Sequence, residues 1–158
     1  MNRKVVSALT TIFLIILIGL LFLYSQSMNK ITQAQEETIE LVNLDYSVDK
    51  INDFDWVTIN ESFFTLDFID NEGVHRYAVV GQEGGDIKYY TDHDIISRED
   101  AMSITLSDNE LDNLLNARLG LLNDDIVWEI SFKSKDDTLS YYYINAVNGE
   151  WIQTIANI

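Results

Sequence analysis

An uncharged stretch of twenty residues, 5–24 (VVSALTTIFLIILIGLLFLY), constrains this chain more than any other feature of its sequence. As an α-helix that rises about 1.5 Å per residue, it would be about 30 Å long, which matches the hydrocarbon core of a bilayer. A helix in the core of a globular protein would usually carry a polar face, and this stretch has none. We therefore predict a transmembrane helix over residues 5–24.

A cleavable signal peptide is the alternative interpretation of the same stretch. Signal peptides have an apolar segment of about 7–15 residues and a cleavage site with small residues. Residues 5–24 are longer, and Ser25-Gln26-Ser27 fits such a site poorly. Because Arg3 and Lys4 precede the stretch, the positive-inside rule predicts a cytoplasmic tip at 1–4, an anchor at 5–24 and an extracytoplasmic location for 25–158.

The part of the chain that we expect outside the membrane is strongly acidic. Residues 25–158 contain all 26 acidic residues and eight of the ten basic residues, which gives a net charge of −18. Such a surface repels nucleic acid and anionic lipid headgroups, so we expect neither as a partner. The chain has no cysteine and no proline. Disulfides, thiolate metal ligands and a proline-rich stalk are therefore excluded.

The apolar pattern of the first half predicts one helix followed by a small sheet. Residues 28–51 contain neither Gly nor Pro and have apolar residues at steps of three or four, which favours an amphipathic helix. Phe64, Leu66 and Phe68 then alternate with polar residues, as in a strand. Turn residues at 70–73 and 82–86 separate two further strands, at 74–80 and 87–90. A short additional strand is expected around 54–59.

The second half repeats this kind of pattern. Ser97 is a candidate N-cap for a second helix. Residues 111–122 fit a helix or a strand equally well by periodicity. Strands are predicted from residue 126 to 133, over 139–146 and over 151–155, with turns at 134–137 and at Asn148-Gly149.

A shift of 64 residues superimposes the two patterns. Phe64, Leu66 and Phe68 then fall on Trp128, Ile130 and Phe132. Two copies of one unit, each a helix packed on an antiparallel sheet, explain this match, although a chance match of two strand patterns is the alternative. The repeat favours a strand over 111–122, because the first copy has a strand at the equivalent place. We therefore predict an α+β fold.

Several segments of the second unit are similar to a PepSY domain. They are the helix start ISREDA at 96–101, ARLGL at 117–121, VWEI at 127–130 and YYINAVNGE at 142–150. Together with the tip, the anchor, the first helix and FFTLDFIDNEGVHRYAVV at 63–80, the chain resembles the TseB-like (YpmB-like) family of cell-wall elongation regulators of Gram-positive bacteria. The sequence SKDD at 134–137 departs from the glycine-containing turn that is common in PepSY domains.

This resemblance implies both a fold and a function. The fold would be two tandem cystatin-like units, at 25–93 and 94–158, of which the second is the PepSY-type unit. The function would be non-catalytic: regulation of peptidoglycan elongation, as a regulator or adaptor that contacts a penicillin-binding protein. The alternative is a PepSY-type inhibitor of an envelope peptidase or wall hydrolase. The family supplies no catalytic residues and no cofactor, and the oligomeric state stays open.

Asp92-His93-Asp94 is the cluster that most resembles a metal site. Adjacent residues of an extended chain point to alternate sides, so Asp92 and Asp94 could converge, but Zn²⁺ or Ca²⁺ would need further ligands. We expect an acidic linker here, and a sensor of a metal or small ligand is a third hypothesis for function. His75 has no partners in the sequence that suggest a catalytic triad, and the glycines at 81–85 lack a phosphate-binding pattern. We therefore predict no enzyme, no cofactor and no metal.

Three adjacent tyrosines, Tyr141, Tyr142 and Tyr143, lie in a predicted strand. Because side chains alternate along a strand, two of them face one side and one faces the other. With Trp151 they form a candidate partner-contact patch, since aromatic residues dominate the energetics of interfaces. The alternative is that these large side chains fill the core of a small sheet.

Overall fold

The computed structural model describes residues 3–84 and 86–156, except for the side chain of Ala8. Residues 1 and 2 of the predicted tip, Gly85 of the predicted 82–86 turn, and residues 157 and 158 of the second predicted unit lie outside the described residues. Two compact units are present, Met1–Glu37 and Thr38–Ile158.

Most of the first unit belongs to α1 (Arg3–Val42), which contains the predicted anchor. Large apolar side chains between Val5 and Tyr24 are 40–67% exposed within the protein. The hydroxyls of Thr10 and Thr11 donate to the carbonyls of Val6 and Ser7, one turn back, so the helix itself satisfies these polar groups. Among the described residues, α1 is the one helix that is long and apolar enough to cross a membrane.

The end of α1 corrects the sequence-based expectation. The helix ends at Val42 and β1 (Val48–Thr58) follows, so the helix predicted over 28–51 is wrong beyond Val42. The Asn43 side chain accepts a hydrogen bond from the backbone N–H of Val48 at 3.0 Å and thereby closes the turn between helix and strand. The short strand expected around 54–59 is the second half of β1.

The first sheet packs on the last turn of α1. Its strands are β1, β2 (Ser62–Asp70), β3 (His75–Gly81) and β4 (Lys88–Thr91), antiparallel and in that order. Leu66, Phe68 and Ala78 form a fully buried cluster with Val42. On the opposite face of the sheet, Tyr77 and Val79 belong to the core of the second half.

The second sheet packs on α2 (Arg98–Asp108). Its antiparallel strands are β5 (Leu111–Leu122), β6 (Asp125–Ser134), β7 (Leu139–Asn145) and β8 (Trp151–Ala156), again in sequence order. The strand assignment of 111–122 is therefore confirmed. Ser97 caps α2 as predicted, because its side chain accepts a hydrogen bond from the N–H of Asp100 at 3.0 Å. Gly149 has a φ of 75°, in the left-handed region that favours glycine, in the predicted turn.

Strand pairing reproduces the 64-residue repeat. Leu66 pairs with Ala78 in the first sheet, and Ile130 pairs with Tyr142 in the second, each 64 residues later. The first strand of each sheet follows a shift of 63, since Phe54 pairs with Leu66 whereas Ala117 pairs with Ile130. The α+β fold with two helix-on-sheet layers is thus confirmed. The division into domains at residues 93 and 94 stays a prediction, because Thr38–Ile158 is one compact unit.

The two sheets meet along β5. The Thr65 hydroxyl donates to the carbonyl of Leu119 at 2.7 Å, in a buried position. The ring of Tyr77 meets the edge of the fully buried Trp128 ring at a centroid distance of 6.2 Å. The Trp128 indole N–H also donates to the carbonyl of Ile96 just before α2, at 3.0 Å. These contacts hold the strands that border the candidate site.

Candidate functional site

The face of the second sheet that points away from α2, here called the outer face, carries a row of polar side chains. Arg118, Glu129, Tyr143 and Gln153 are successive register partners across β5, β6, β7 and β8. Side chains of register partners share a face, so the four residues lie side by side across the sheet. Asn116, Ser131, Tyr141 and Ile155 form the next parallel row.

The end of β1 covers part of this outer face. Val57 is fully buried against Gly120 of β5, where a Cβ atom would lie only 2.9 Å from Val57 Cγ1. Ile59 packs against the cluster of Leu122, Val127 and Tyr143. Glycine at position 120 therefore permits β1 to cross β5 at close range.

The uncovered part of the outer face is an open groove with a volume of about 650 Å³. The end of β1 forms one side of it, and the polar rows of the second sheet contribute its other residues. Two exposed apolar side chains line it, Trp56 at 42% and Ile155 at 43% exposure. We call this the outer groove, and its lining residues are Trp56, Thr58, Ile59, Arg118, Glu129, Tyr141, Tyr143 and Ile155.

Glu129 is the most unusual residue of the outer groove, because it is a carboxyl group in a residue that is only 5% exposed. The Tyr143 hydroxyl donates to its Oε2 at 2.9 Å. Burial raises the pKa of Glu129, although the hydrogen bond from Tyr143 and the charge of Arg118 oppose this shift. Burial and the neighbouring Glu129 in turn raise the pKa of Tyr143. This pair presents a polar, partly neutralised patch beside aromatic side chains.

An ion-pair network fixes β1 beside the outer groove. Asp55 of β1 lies 3.7 Å from Arg118 of β5 and 3.2 Å from Arg98 of α2. Arg98 also binds Asp53 at 2.7 Å. Burial and the charge of Asp53 raise the pKa of Asp55 in spite of the two arginines. The network therefore links β1, α2 and β5 around one half-buried carboxylate.

The structure brings together two of the four residues of the predicted contact patch. Tyr141 and Tyr143 both line the outer groove. Tyr142 points to the opposite face, where it is 5% exposed and its hydroxyl donates to Asp108 at 2.9 Å. Trp151 is 60% exposed, and its indole donates to Thr154, the register partner of Tyr142. Their role in partner contact stays a prediction.

Sequence reasoning missed Trp56, Arg118 and Glu129 as parts of the same surface. Their proximity depends on the pairing of β5 with β6 and on the crossing of β1, which one sequence does not specify. One signal was present: Glu129 interrupts the otherwise apolar run from Ile126 to Ile130. An acidic residue within such a run indicates either a solvated face or a buried polar contact.

The Asp92-His93-Asp94 cluster does not converge on one point. Asp92 accepts from His75 Nδ1 at 2.8 Å, whereas Asp94 accepts from the backbone and side chain of Thr91. His75 Nε2 lies 2.7 Å from Asp67, so His75 is held between two carboxylates. Burial lowers the pKa of His75, but the two carboxylates outweigh it and raise the pKa overall. Among residues 3–84 and 86–156, no group of three or more potential ligands is placed to hold a metal ion.

Comparison with solved structures identifies a similar fold. The YpmB protein from Bacillus subtilis superimposes with a TM-score of 0.67 over 76% of this chain and 95% of that chain, at 16% sequence identity. At this identity the likeness concerns the fold alone, so this chain has a YpmB-like fold. No protein-family model and no curated protein sequence matches the chain.

Proposed function

We propose that this chain is a non-catalytic, membrane-anchored regulator or adaptor of peptidoglycan elongation that acts outside the cytoplasm through contact with a penicillin-binding protein. The outer groove is the observation that carries the protein-contact part of this proposal. The cell-wall part rests on the sequence resemblance to the TseB-like family. In the same proposal, residues 94–158 are the PepSY-type unit and residues 25–93 are the first cystatin-like unit.

The length and composition of α1 support the anchor. Arg3 and Lys4 at its start favour a cytoplasmic N-terminus and an extracytoplasmic position for the sheets. A tether of this kind confines the protein to the membrane surface, where other membrane proteins are present at a raised effective concentration. A contact surface of modest size is therefore sufficient for function.

The composition of the outer groove supports contact with a protein. Exposed Trp56 and Ile155 supply apolar area, and Tyr141 is partly exposed between them. Aromatic side chains beside satisfied polar groups are typical of the central part of an interface. Glu129 and Tyr143 hydrogen-bond to each other, and no serine or threonine lies beside them in their row, which favours binding over nucleophilic catalysis.

Site-specific photo-crosslinking in a Gram-positive host tests the proposal. A photoreactive amino acid is placed in the full chain at position 56 or 155 in the outer groove. A matched probe is placed at position 106, where Leu106 of α2 is 53% exposed. We expect the groove probes to capture a penicillin-binding protein that the position-106 probe does not capture. Capture of a peptidase or wall hydrolase alone would overturn the proposal in favour of an inhibitor.

A further inference from the structure

The last strand of the second sheet has an unprotected edge. β8 pairs with β7, and no other strand in the described part of the chain pairs with it. Its sequence, WIQTIA at 151–156, has no charged residue and no proline. Edge strands of soluble proteins usually avoid pairing with other chains by means of charges, proline, short length or a covering element. β8 is six residues long and carries the exposed side chains of Trp151 and Ile155.

The repeat supplies an internal comparison, because β4 is the last strand of the first sheet. β4 is only four residues long and contains Lys88. Lys88 binds Asp124 of the second half at 3.1 Å, and the Tyr89 hydroxyl donates to Asp45 at 2.8 Å. Tyr90 packs against the core of the second half. The protective features of an edge are thus present in β4 and lacking in β8, within one chain and one fold.

The outer groove continues to this edge. The two rows that cross the outer face end at Gln153 and Ile155 of β8. A strand added to β8 would lie about 4.8 Å further along each row. Its alternate side chains would stand beside Gln153 and Ile155 on the outer face, next to Tyr141. Main-chain hydrogen bonds would then supply affinity, and the groove would select side chains.

The geometry points to β8 as the site where an extended segment of a partner protein adds as a fifth strand to the second sheet. This segment has apolar side chains at alternate positions and lysine or arginine at its ends. The basic ends follow from charge, because residues 25–158 carry −18 and β8 is the uncharged part of that surface. The same charge disfavours a second copy of this chain as the occupant. The inference rests on the proposed contact function and specifies its mode.

Proline substitutions on β8 test the pairing directly. Adjacent residues of a strand direct their N–H groups to opposite sides, so one of Gln153 and Thr154 donates towards β7 and the other faces outward. Of the variants Gln153→Pro and Thr154→Pro, the one that keeps the melting temperature of the full chain identifies the outward position. The alanine variant at that same position is the matched control, because it retains the N–H group.

The probe is a phage-displayed library of random decapeptides, selected on the full chain in nanodiscs. We expect enriched peptides with alternate apolar residues and basic ends, and protection of the β8 amides from hydrogen exchange when they bind. The outward proline variant should bind them about tenfold more weakly, and the alanine control should bind them normally. Binding should also weaken as salt rises from 50 to 500 mM.

Three outcomes would overturn the inference. Enriched peptides that protect no β8 amide, or that bind the outward proline variant normally, would show that the partner segment does not add to the sheet. Failure of the library to yield any β8-binding peptide would do the same. Dimers of the full chain that the outward proline variant abolishes would identify a second copy as the occupant. In each case the crosslinks from positions 56 and 155 test the proposed function separately.

Discussion

At the scale of single residues, Gly120 determines how closely β1 can cross β5. An added Cβ would lie 2.9 Å from Val57 Cγ1 and 3.6 Å from Ile59 Cδ1. Val57 is β-branched and fully buried, so it cannot move aside by a simple change of rotamer. The backbone at Gly120 does not have a positive φ, and the effect of a substitution there is therefore steric.

We expect Gly120→Ala to lower the free energy of unfolding by about 1–3 kcal/mol because of this overlap. Val57→Ala removes the overlapping methyl group, so the double variant should lose less stability than the sum of the two single variants. Chemical unfolding of the full chain in detergent micelles measures this, with tryptophan fluorescence as the signal. Strict additivity of the two changes would contradict the close crossing.

Glu129 is the second residue whose environment makes a measurable prediction. Its pKa is raised in the folded protein, so between the ordinary value of 4.5 and the raised value the folded state binds more protons than the unfolded state. Stability from this group is therefore lost as pH rises through that interval. Glu129→Gln should stabilise the full chain by about 1 kcal/mol at pH 7 and have little effect at pH 4, because glutamine still accepts from Tyr143.

Tyr143→Phe is the matched control for this pH dependence. It removes the hydroxyl that donates to Glu129, so it should destabilise the chain by about 1–2 kcal/mol at pH 7. The loss should be smaller at pH 4, where the carboxyl is protonated. Unfolding curves of both variants at the two pH values are the measurement. A loss that is equal at both values would show that Glu129 is not charged at neutral pH.

At the scale of elements, Arg98 connects α2 to β1. It binds Asp53 and Asp55 and lies 5.8 Å from the centre of the Trp128 ring. Asp55 has a raised pKa even with this partner, so it would be a poorly compensated charge without it. The first residue of the helix therefore holds the strand that forms one side of the outer groove.

We expect Arg98→Ala to destabilise the full chain by about 2 kcal/mol at pH 7, a value reduced by the partial exposure of the ion pair. Arg98→Lys should restore little, since an ammonium cannot bind both carboxylates and stack on the ring. Asp55→Asn in the Arg98→Ala background should recover part of the loss. A double-mutant cycle at low and high salt measures the coupling, and a coupling near zero would contradict this role.

The elements also show what the sequence could predict and where it could not. The strands at 62–70 and 75–81 follow from alternation between turn residues, and their repeats at 125–134 and 139–145 fit the 64-residue shift. The end of α1 was missed because the stretch from 28 to 51 has no helix-breaking residue. There the Asn43 side chain, bound to the N–H of Val48, ends the helix instead.

The outer groove shows the same limit for function. Alternation along β7 placed Tyr141 and Tyr143 on one face, and the structure agrees. It could not separate the face beneath α2 from the outer face, so Tyr142 and Trp151 were grouped with them. The remaining lining residues come from β1, β5 and β6, and their proximity depends on register and on the crossing at Gly120. These are properties of tertiary packing, which periodicity does not encode.

At the scale of the whole molecule, the position of the chain relative to the membrane decides which partners it can meet. The chain has no cysteine, so a single introduced cysteine gives a labelling signal without background. We expect Leu106→Cys, at an exposed position of α2, to react with a membrane-impermeant maleimide on intact cells. Asn2→Cys, ahead of Arg3 and Lys4, should react only after the membrane is made permeable.

The same pair of variants distinguishes an anchor from a cleaved signal peptide. An anchor keeps both labels on one full-length chain in the membrane fraction, because twenty apolar residues do not leave the bilayer on washing with alkaline carbonate. Cleavage would leave the position-106 label on a shorter, soluble chain and remove the position-2 label from it. That result would contradict the tether on which the proposed function depends, because a released protein has no raised effective concentration at the membrane surface. The −18 charge of residues 25–158 would also keep a released protein away from anionic headgroups.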